Sequence, residues 1–269
     1  MKLREKLRVK PGTTVRLADV DPAATHGAKK HAAIHDDIPA GVARLDELQY
    51  RMYAERKHAL LVVLQGIDAA GKDGTIRHVM TGFNPQGCRV TPFKVPTPEE
   101  ASHDFLWRVH RAVPGLGDVT IFNRSHYEDV LIARVHDLVP TRVWERRYEE
   151  INRFEELLAV NGVTIVKFFL YISKDEQKER FQARIDDSTK HWKISLSDFS
   201  ERKRWDDYIH AYEDALTRCS TDTAPWYVIP ANKKWFRNLA VSQILVETLE
   251  DLEMRFPEPT IDVSKIRIE

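Results

Sequence analysis

Short apolar runs recur along the chain, and longer stretches with apolar residues three or four positions apart separate them. Runs of this length favour buried strands, and the wider spacing favours helices. The predicted strands are His58–Gln65, Cys88–Val95, Asp118–Phe122, Val163–Ile172 and Trp226–Ile229. Three predicted helices are Val42–Lys57, Pro98–Val113 and Lys233–Met254, and another begins near Lys72. A further helix is predicted because five apolar residues recur on one face, which should be buried: Trp144, Tyr148, Ile151, Phe154 and Leu158.

This alternation predicts an α/β fold in which right-handed crossovers connect parallel strands and helices cover both faces of the sheet. Ligands are then expected at the carboxyl ends of the strands. Residues 1–41 mix Pro, Gly, His and charges without periodicity, which predicts an irregular N-terminal arm before a domain at 42–269. Residues 175–219 are helical, basic and longer than a crossover needs, which predicts a lid.

Composition limits the class of protein. The 269 residues are 42% hydrophobic, enough for one large domain, and 41 Lys and Arg balance 41 Asp and Glu. Because the formal net charge is zero, no overall electrostatic attraction to nucleic acid or an anionic membrane is expected, so a polyanion site must be local. Cys88 and Cys219 are far apart, which disfavours a disulfide framework and a thiolate zinc site. With apolar runs too short to span a bilayer, we expect a cytoplasmic protein.

A phosphate loop is predicted at Gly66–Gly74, which follows an apolar strand and opens a helix. Glycine permits unusual backbone angles, consecutive N–H groups form an anion-binding nest, and Lys72 adds a full positive charge. The predicted phosphate-binding residues besides Lys72 are Gly66, Ala69, Ala70, Gly71, Asp73 and Gly74.

Two carboxylates in this loop have alternative interpretations. Asp68 is a candidate ligand of magnesium, or of manganese, and a candidate acceptor of the proton from the attacking oxygen. It is also a plausible turn former. Asp73 stands where most phosphate loops place a Ser or Thr on the metal, so either the metal arrangement differs or Asp73 only faces the helix dipole.

A second candidate group, Ile121–Asp129, begins at the carboxyl end of a strand and should emerge beside the loop. Nucleoside monophosphate kinases often place an acid and then an arginine here. Arg124 keeps the phosphate-binding role, with a surface ion pair as the alternative. Asn123 replaces the acid and can bind a metal only weakly, which shifts that task to Asp68.

The lid carries the third group, in the segment Arg180–Lys193. Cations that a closing lid delivers would stabilise transferred phosphate and exclude water. Arg184 is the best candidate, and the alternative for any single Lys is a solvated helix face. Trp205, Ile209, Tyr212 and Leu216 recur at helical spacing and are predicted as core.

Four segments in this order resemble the family-2 polyphosphate kinases: GIDAAGKDG at Gly66–Gly74, FNRSHYEDV at Phe122–Val130, DSTKHWKISL at Asp187–Leu196 and APWYVIPANKKW at Ala224–Trp235. The similarity runs from about Val42 to Leu252. It implies a P-loop kinase-like three-layer sandwich with a helical lid, in which polyphosphate passes under the lid and phosphorylates a bound nucleotide with magnesium.

The resemblance also implies roles for single residues. Asp68 would position metal and nucleophile, Lys72 the transferred phosphate, and Arg124 and Arg184 the developing charge, while Lys190 and Lys193 would guide polyphosphate. Asn123 together with Glu128 resembles the class III members, which phosphorylate both AMP and ADP. Adenine nucleotides are the expected acceptors, guanine nucleotides stay open, and a homodimer or homotetramer is implied.

The main alternative is a nucleoside monophosphate kinase that uses ATP as donor, since it shares the fold, the phosphate loop and a strand-end arginine. A non-catalytic nucleotide-binding regulator is the second alternative. It would tolerate loss of Asp68, whereas an enzyme should lose roughly two or more orders of magnitude in rate.

Overall fold

A computed structural model describes residues 2–268, within which five parallel strands form one sheet. The strands are β1 Ala59–Gln65, β2 Cys88–Pro92, β3 Val119–Asn123, β4 Val163–Tyr171 and β5 Trp226–Pro230. Their order across the sheet is β2-β3-β1-β4-β5, and every neighbouring pair is parallel. The predicted strands and their parallel arrangement are confirmed.

The helices cover both faces of this sheet. In chain order they are α1 Leu3–Leu7, α2 Lys30–Ala32, α3 Ile38–Glu55, α4 Lys72–Val79, α5 Pro98–Ala101, α6 Trp107–His110, α7 Ile132–Val135, α8 Thr141–Val160, α9 Lys174–Ile185, α10 Leu196–Lys203, α11 Trp205–Arg218 and α12 Lys234–Glu250. The single helix predicted at Pro98–Val113 is wrong, because α5 and α6 are separate. Between them the Asp104 carboxylate accepts a hydrogen bond from the Leu106 N–H, a local turn that competes with helix.

The start of the first long helix also differs from the prediction. The helix begins at Lys30 rather than near Val42, because α2 continues through a π-turn at Ala33–Asp37 into α3. The wide turn ends two residues before Pro39, which has no N–H and would crowd the carbonyl four residues earlier, that of His35 within the turn. The last twelve residues of the predicted irregular arm are therefore helical.

The core forms two apolar layers, one on each face of the sheet. On β1, Leu60, Val62 and Leu64 pack into the layer that includes α3 and α12. Their neighbours Leu61 and Val63 pack into the layer of α8 and α11. Strands buried on both faces are typical of parallel sheets between helices, and the predicted three-layer sandwich is confirmed.

The predicted helix faces are buried as expected. On α8 the residues Tyr148, Ile151, Phe154 and Leu158 are buried and Trp144 is half-buried; on α11 the residues Trp205, Tyr212 and Leu216 are buried and Ile209 is half-buried. The lid segment is helical, with α9, a 3₁₀ turn at Ser188–Lys193, α10 and α11. Within residues 2–268, no helix has the length and apolar character needed to cross a membrane.

The N-terminal residues cover the free edge of β5. The Val9 N–H donates to the Trp226 carbonyl at 2.9 Å, and Arg8 forms an antiparallel bridge with Tyr227. Arg4 Nε also lies 3.4 Å from the Tyr227 hydroxyl, although 223 residues separate the two in sequence. An edge strand capped in this way is shielded from pairing with another chain.

Candidate active site

The phosphate loop lies between β1 and α4, as predicted. Gly66, Ala69 and Gly71 have φ angles of 157°, 67° and 109°, in the left-handed region that favours glycine. A Cβ at Gly66 would lie 2.8 Å from the Leu170 carbonyl oxygen, and one at Gly71 only 1.9 Å from Nη1 of Arg237. Gly66 is therefore required by space as well as by backbone angle, whereas a side chain at Gly71 would displace the Arg237 guanidinium and strain the backbone.

Lys72 opens α4 and folds back over this loop. Its Nζ donates a hydrogen bond to the Gly66 carbonyl at 2.6 Å. Burial, together with the charge of Arg124, lowers the pKa of Lys72 to about 8. The ammonium is therefore mostly charged in neutral solution and loses its charge in mildly alkaline solution.

Arg124 stands at the carboxyl end of β3 and reaches the loop, because Asn123 is in register with Leu64 of β1. Its Nη2 donates to Asp68 Oδ1 at 2.7 Å, and its Nη1 lies 3.6 Å from Glu128 Oε2. Burial alone would lower the pKa of Arg124, but these two carboxylates outweigh it and raise the pKa. Arg124 also has a φ of 65°, so the backbone turns sharply where the strand ends.

Asn123 forms a direct contact with Asp73 across the site. Its Nδ2 donates to Asp73 Oδ1 at 2.9 Å. An aspartate at position 123 would instead place two like charges at hydrogen-bond distance. The amide therefore stabilises Asp73 without a cation between the two side chains.

The lid residues named from the sequence contact neighbouring residues of the lid rather than the loop. Arg184 lies over the Phe181 ring and reaches the Lys193 carbonyl at 3.4 Å. Lys190 pairs with Asp187 at 2.6 Å, and Lys193 lies over the Trp192 ring. Among the contacts of residues 2–268, none joins Arg184, Lys190 or Lys193 to the phosphate loop.

Three residues at the back of the loop were not singled out from the sequence. Arg180 donates from Nη1 to the carbonyls of Ala69 and Ala70, both at 2.9 Å. Gln177, one turn earlier on α9, donates to the Asp68 carbonyl at 2.9 Å. The guanidinium of Arg237 on α12 packs under Gly71 and Gly74, and burial, with Arg180 nearby, lowers the pKa of Arg237 to about 10. The spacing of Gln177 and Arg180 on one helix face was the available signal; nothing local pointed to Arg237.

A buried polar cluster supports the segment after β3. Nζ of Lys167, on β4, donates to Glu155 Oε2 at 2.5 Å, to the Tyr127 hydroxyl at 2.8 Å and to the Cys219 carbonyl at 2.7 Å. His126 and Tyr127 contact the other Glu155 oxygen at 3.1 and 2.9 Å. Burial raises the pKa of Glu155, but Lys167 and His126 outweigh it and the pKa is lowered. The cluster anchors the two residues that follow Arg124 and Ser125.

The carboxylates at the loop fit a magnesium ion that is held partly by phosphate. Among residues 2–268, no group of three or more His, Cys, Asp and Glu residues forms a metal cage. Magnesium usually keeps several waters and binds through one or two carboxylates plus substrate phosphates. Asp68 suits this arrangement, because Arg124 uses Oδ1 and the carboxylate has a second oxygen.

Comparison with known proteins gives consistent results. The family model "Polyphosphate kinase 2 (PPK2)" matches residues 29–257. An AMP/ADP-polyphosphate phosphotransferase of Meiothermus ruber is 52% identical over 98% of this chain and 100% of its own, and an ADP-polyphosphate phosphotransferase of Rhodopseudomonas palustris is 47% identical over 97% and 94%. The crystal structure of a polyphosphate kinase 2 from Arthrobacter aurescens TC1 superposes with a TM-score of 0.94 at 48% identity, covering 98% of this chain and 94% of that one.

Proposed function

Since the chain belongs to the polyphosphate kinase 2 family, we propose that it transfers the terminal phosphoryl group of inorganic polyphosphate to AMP and to ADP. The observation that carries the proposal is the convergence of Lys72, Asp68 and Arg124 at the carboxyl ends of β1 and β3. This places two cations and a carboxylate around a loop built for phosphate.

In the proposed step, a terminal phosphate oxygen of the nucleotide attacks the last phosphorus of polyphosphate. The new P–O bond lengthens the nucleotide by one phosphate, and the bond to the next phosphate of the chain breaks. The shortened polyphosphate leaves with the bonding electrons, so AMP becomes ADP, ADP becomes ATP, and the reaction is reversible. Little covalent chemistry falls to the protein, whose task is to position the reactants and stabilise charge.

We assign the roles within this step by position. Lys72 and Arg124 stabilise charge on the transferred group. Asp68 would hold magnesium, and the ion would offset the negative charge of the phosphates. Asp68 also orients the attacking oxygen. Arg124 has five N–H donors and its pairs with Asp68 and Glu128 leave several for phosphate. Arg184, Lys190 and Lys193 are proposed to contact polyphosphate. Lys190 and Lys193 are exposed on the lid and Arg184 is half-buried, which supports access by a long anion.

Use of both acceptors is proposed from Asn123 and Glu128. Asn123 donates a hydrogen bond to Asp73, and Glu128 pairs with Nη1 of Arg124 while Asp68 pairs with Nη2. The Meiothermus ruber relative is named for AMP and ADP, whereas the Rhodopseudomonas palustris relative is named for ADP. Adenine nucleotides are the proposed acceptors, with guanine nucleotides to be compared.

The test is to incubate the purified protein with polyphosphate, magnesium and AMP, ADP, GMP or GDP in turn, and to separate products by anion exchange. ATP formed from AMP supports both acceptors, and ATP from ADP alone restricts the enzyme to ADP. Product that appears only when ATP replaces polyphosphate would contradict the donor and favour a nucleoside monophosphate kinase.

A cytoplasmic location and a homo-oligomer are further parts of the proposal. The free thiols of Cys88 and Cys219 are in keeping with a reducing compartment. Light scattering of the purified protein measures its molar mass, which tests the homodimer or homotetramer that the family resemblance implies.

A further inference from the structure

Helix α9 holds the carbonyl side of the phosphate loop. Gln177 and Arg180 lie one turn apart and bind three consecutive carbonyls, those of Asp68, Ala69 and Ala70. A trans peptide directs its C=O and N–H to opposite sides. The hydrogen bond from Gln177 to the Asp68 carbonyl therefore directs the Ala69 N–H away from α9, toward the side of the loop where an anion would bind.

The amide of Gln177 is oriented by its second partner. Its Oε1 accepts a hydrogen bond from Arg202 Nη1 at 2.8 Å, while its Nε2 donates to the Asp68 carbonyl. A guanidinium can only donate and a carbonyl can only accept, so exchanging the amide oxygen and nitrogen would lose both bonds. Gln177 is 1% exposed, and water cannot readily replace either partner.

Arg202 belongs to α10, the lid helix that follows the exposed turn at Ser188–Lys193. Its Nη1 also donates to the Lys174 carbonyl at 2.6 Å, at the start of α9. Glu201 beside it binds His136 and Tyr208, so α10 is docked at this end. Arg202, Gln177 and the Asp68 carbonyl thus form a continuous path from the docked lid to the phosphate loop.

We propose that Gln177 is a positioning residue for phosphoryl transfer, which couples docking of lid helix α10, through Arg202, to the orientation of the Asp68–Ala69 peptide. The inference rests on the proposed function, since the loop must bind the transferred phosphate for its orientation to matter. When α10 undocks, Gln177 loses the partner that fixes its amide, and the Ala69 N–H loses its fixed direction.

The deciding variants are Gln177→Glu and Gln177→Met, which keep the length of the side chain. Gln177→Glu keeps an acceptor for Arg202 but turns a carboxylate oxygen toward the Asp68 carbonyl; Gln177→Met removes both bonds. We expect each to lower kcat by about tenfold to 100-fold, the range that slight misplacement of a reacting group produces. The matched control is Gln182→Met on the same helix. The Gln182 amide is exposed and, among residues 2–268, hydrogen-bonds to Asp186 alone, so kcat should stay at the wild-type value.

A double-mutant cycle separates coupling from simple packing. If Arg202 acts through Gln177, then Arg202→Met should lower kcat in the wild type but add little to Gln177→Met. A fully additive double variant would overturn the coupling. So would variants that lower the melting temperature while kcat and KM stay at wild-type values, because that is the pattern of a structural role alone.

Different results would contradict the proposed function and the positioning role of Gln177. The wild type and Gln182→Met decide the donor, since neither forms product if polyphosphate is not used. If only ATP serves as donor, the same variants assayed with ATP still show whether Gln177 positions the loop. Loss of kcat in both Gln177 variants with an additive Arg202 effect would retain the positioning role and refute its link to the lid.

Discussion

Removing the ammonium of Lys167 should leave Glu155 charged, buried and without its main partner. Both side chains are at most 1% exposed, and Lys167 also binds the Tyr127 hydroxyl and the Cys219 carbonyl. Breaking a buried ion pair from one side costs about 3–5 kcal/mol of unfolding free energy. Lys167→Met, which keeps a side chain of similar length without the charge, tests this directly.

The chain length converts that cost into a temperature. An unfolding entropy of about 2.1 cal/mol/K for each of the 269 residues amounts to about 0.56 kcal/mol/K. A loss of 3–5 kcal/mol then lowers the melting temperature by about 5–9 °C, which scanning calorimetry resolves. The control is Arg153→Met on α8, whose pair with Glu149 is exposed and should contribute less than about 1 kcal/mol.

The double variant Lys167→Met with Glu155→Met gives the sharper comparison. It removes both charges, so it should be more stable than Lys167→Met alone, because an apolar pair often replaces a buried ion pair at little cost. A Lys167→Met protein that melts within about 2 °C of the wild type, or a double variant less stable than either single one, would refute the reasoning.

Three further predictions concern the site. Lys72→Ala and Asp68→Asn should each lower kcat at least about 100-fold with unchanged circular dichroism, as expected when a main electrostatic group is lost; near-wild-type rates would contradict their roles. Because the pKa of Lys72 is about 8, its charge is lost above that pH, so kcat/KM for polyphosphate should fall from pH 8 to 9.5, and a flat profile would exclude this ionisation. Asn123→Asp replaces the hydrogen bond to Asp73 with repulsion that magnesium relieves, so magnesium should raise the melting temperature more in this variant than in the wild type, and equal shifts would count against it.

Local signals predicted most of the fold and the front of the site. The loop from Gly66 to Gly74 could be read because strand, glycines and lysine are contiguous, and Arg124 because parallel strands end at one edge of the sheet. The helix start at Lys30 could not be predicted, since Pro39 and Gly41 interrupt the pattern expected of a helix. The π-turn at Ala33–Asp37 accommodates Pro39 within the continuous helix.

The back of the site depends on packing between distant segments. Several polar residues on α9 were equivalent in the sequence, and only the packed helix distinguishes Arg180, which binds the loop, from Arg184, which lies on the lid. Arg237 is even more distant from the loop in the sequence, and its place under Gly71 follows from how α12 packs in the fold. Such contacts have no period or motif in the sequence.

The N-terminal cap on β5 also sets an order of events during synthesis. Tyr227, the partner of Arg4, is made 223 residues after Arg4. At about 5–20 residues per second, the segment around Arg4 waits roughly 11–45 s for the strand on which it docks. Until then Leu3 and Leu7, buried in the finished protein, have no final place. The segment around Arg4 therefore docks only after β5 has been made, and a chain stalled before β5 would expose this segment to chaperones and proteases.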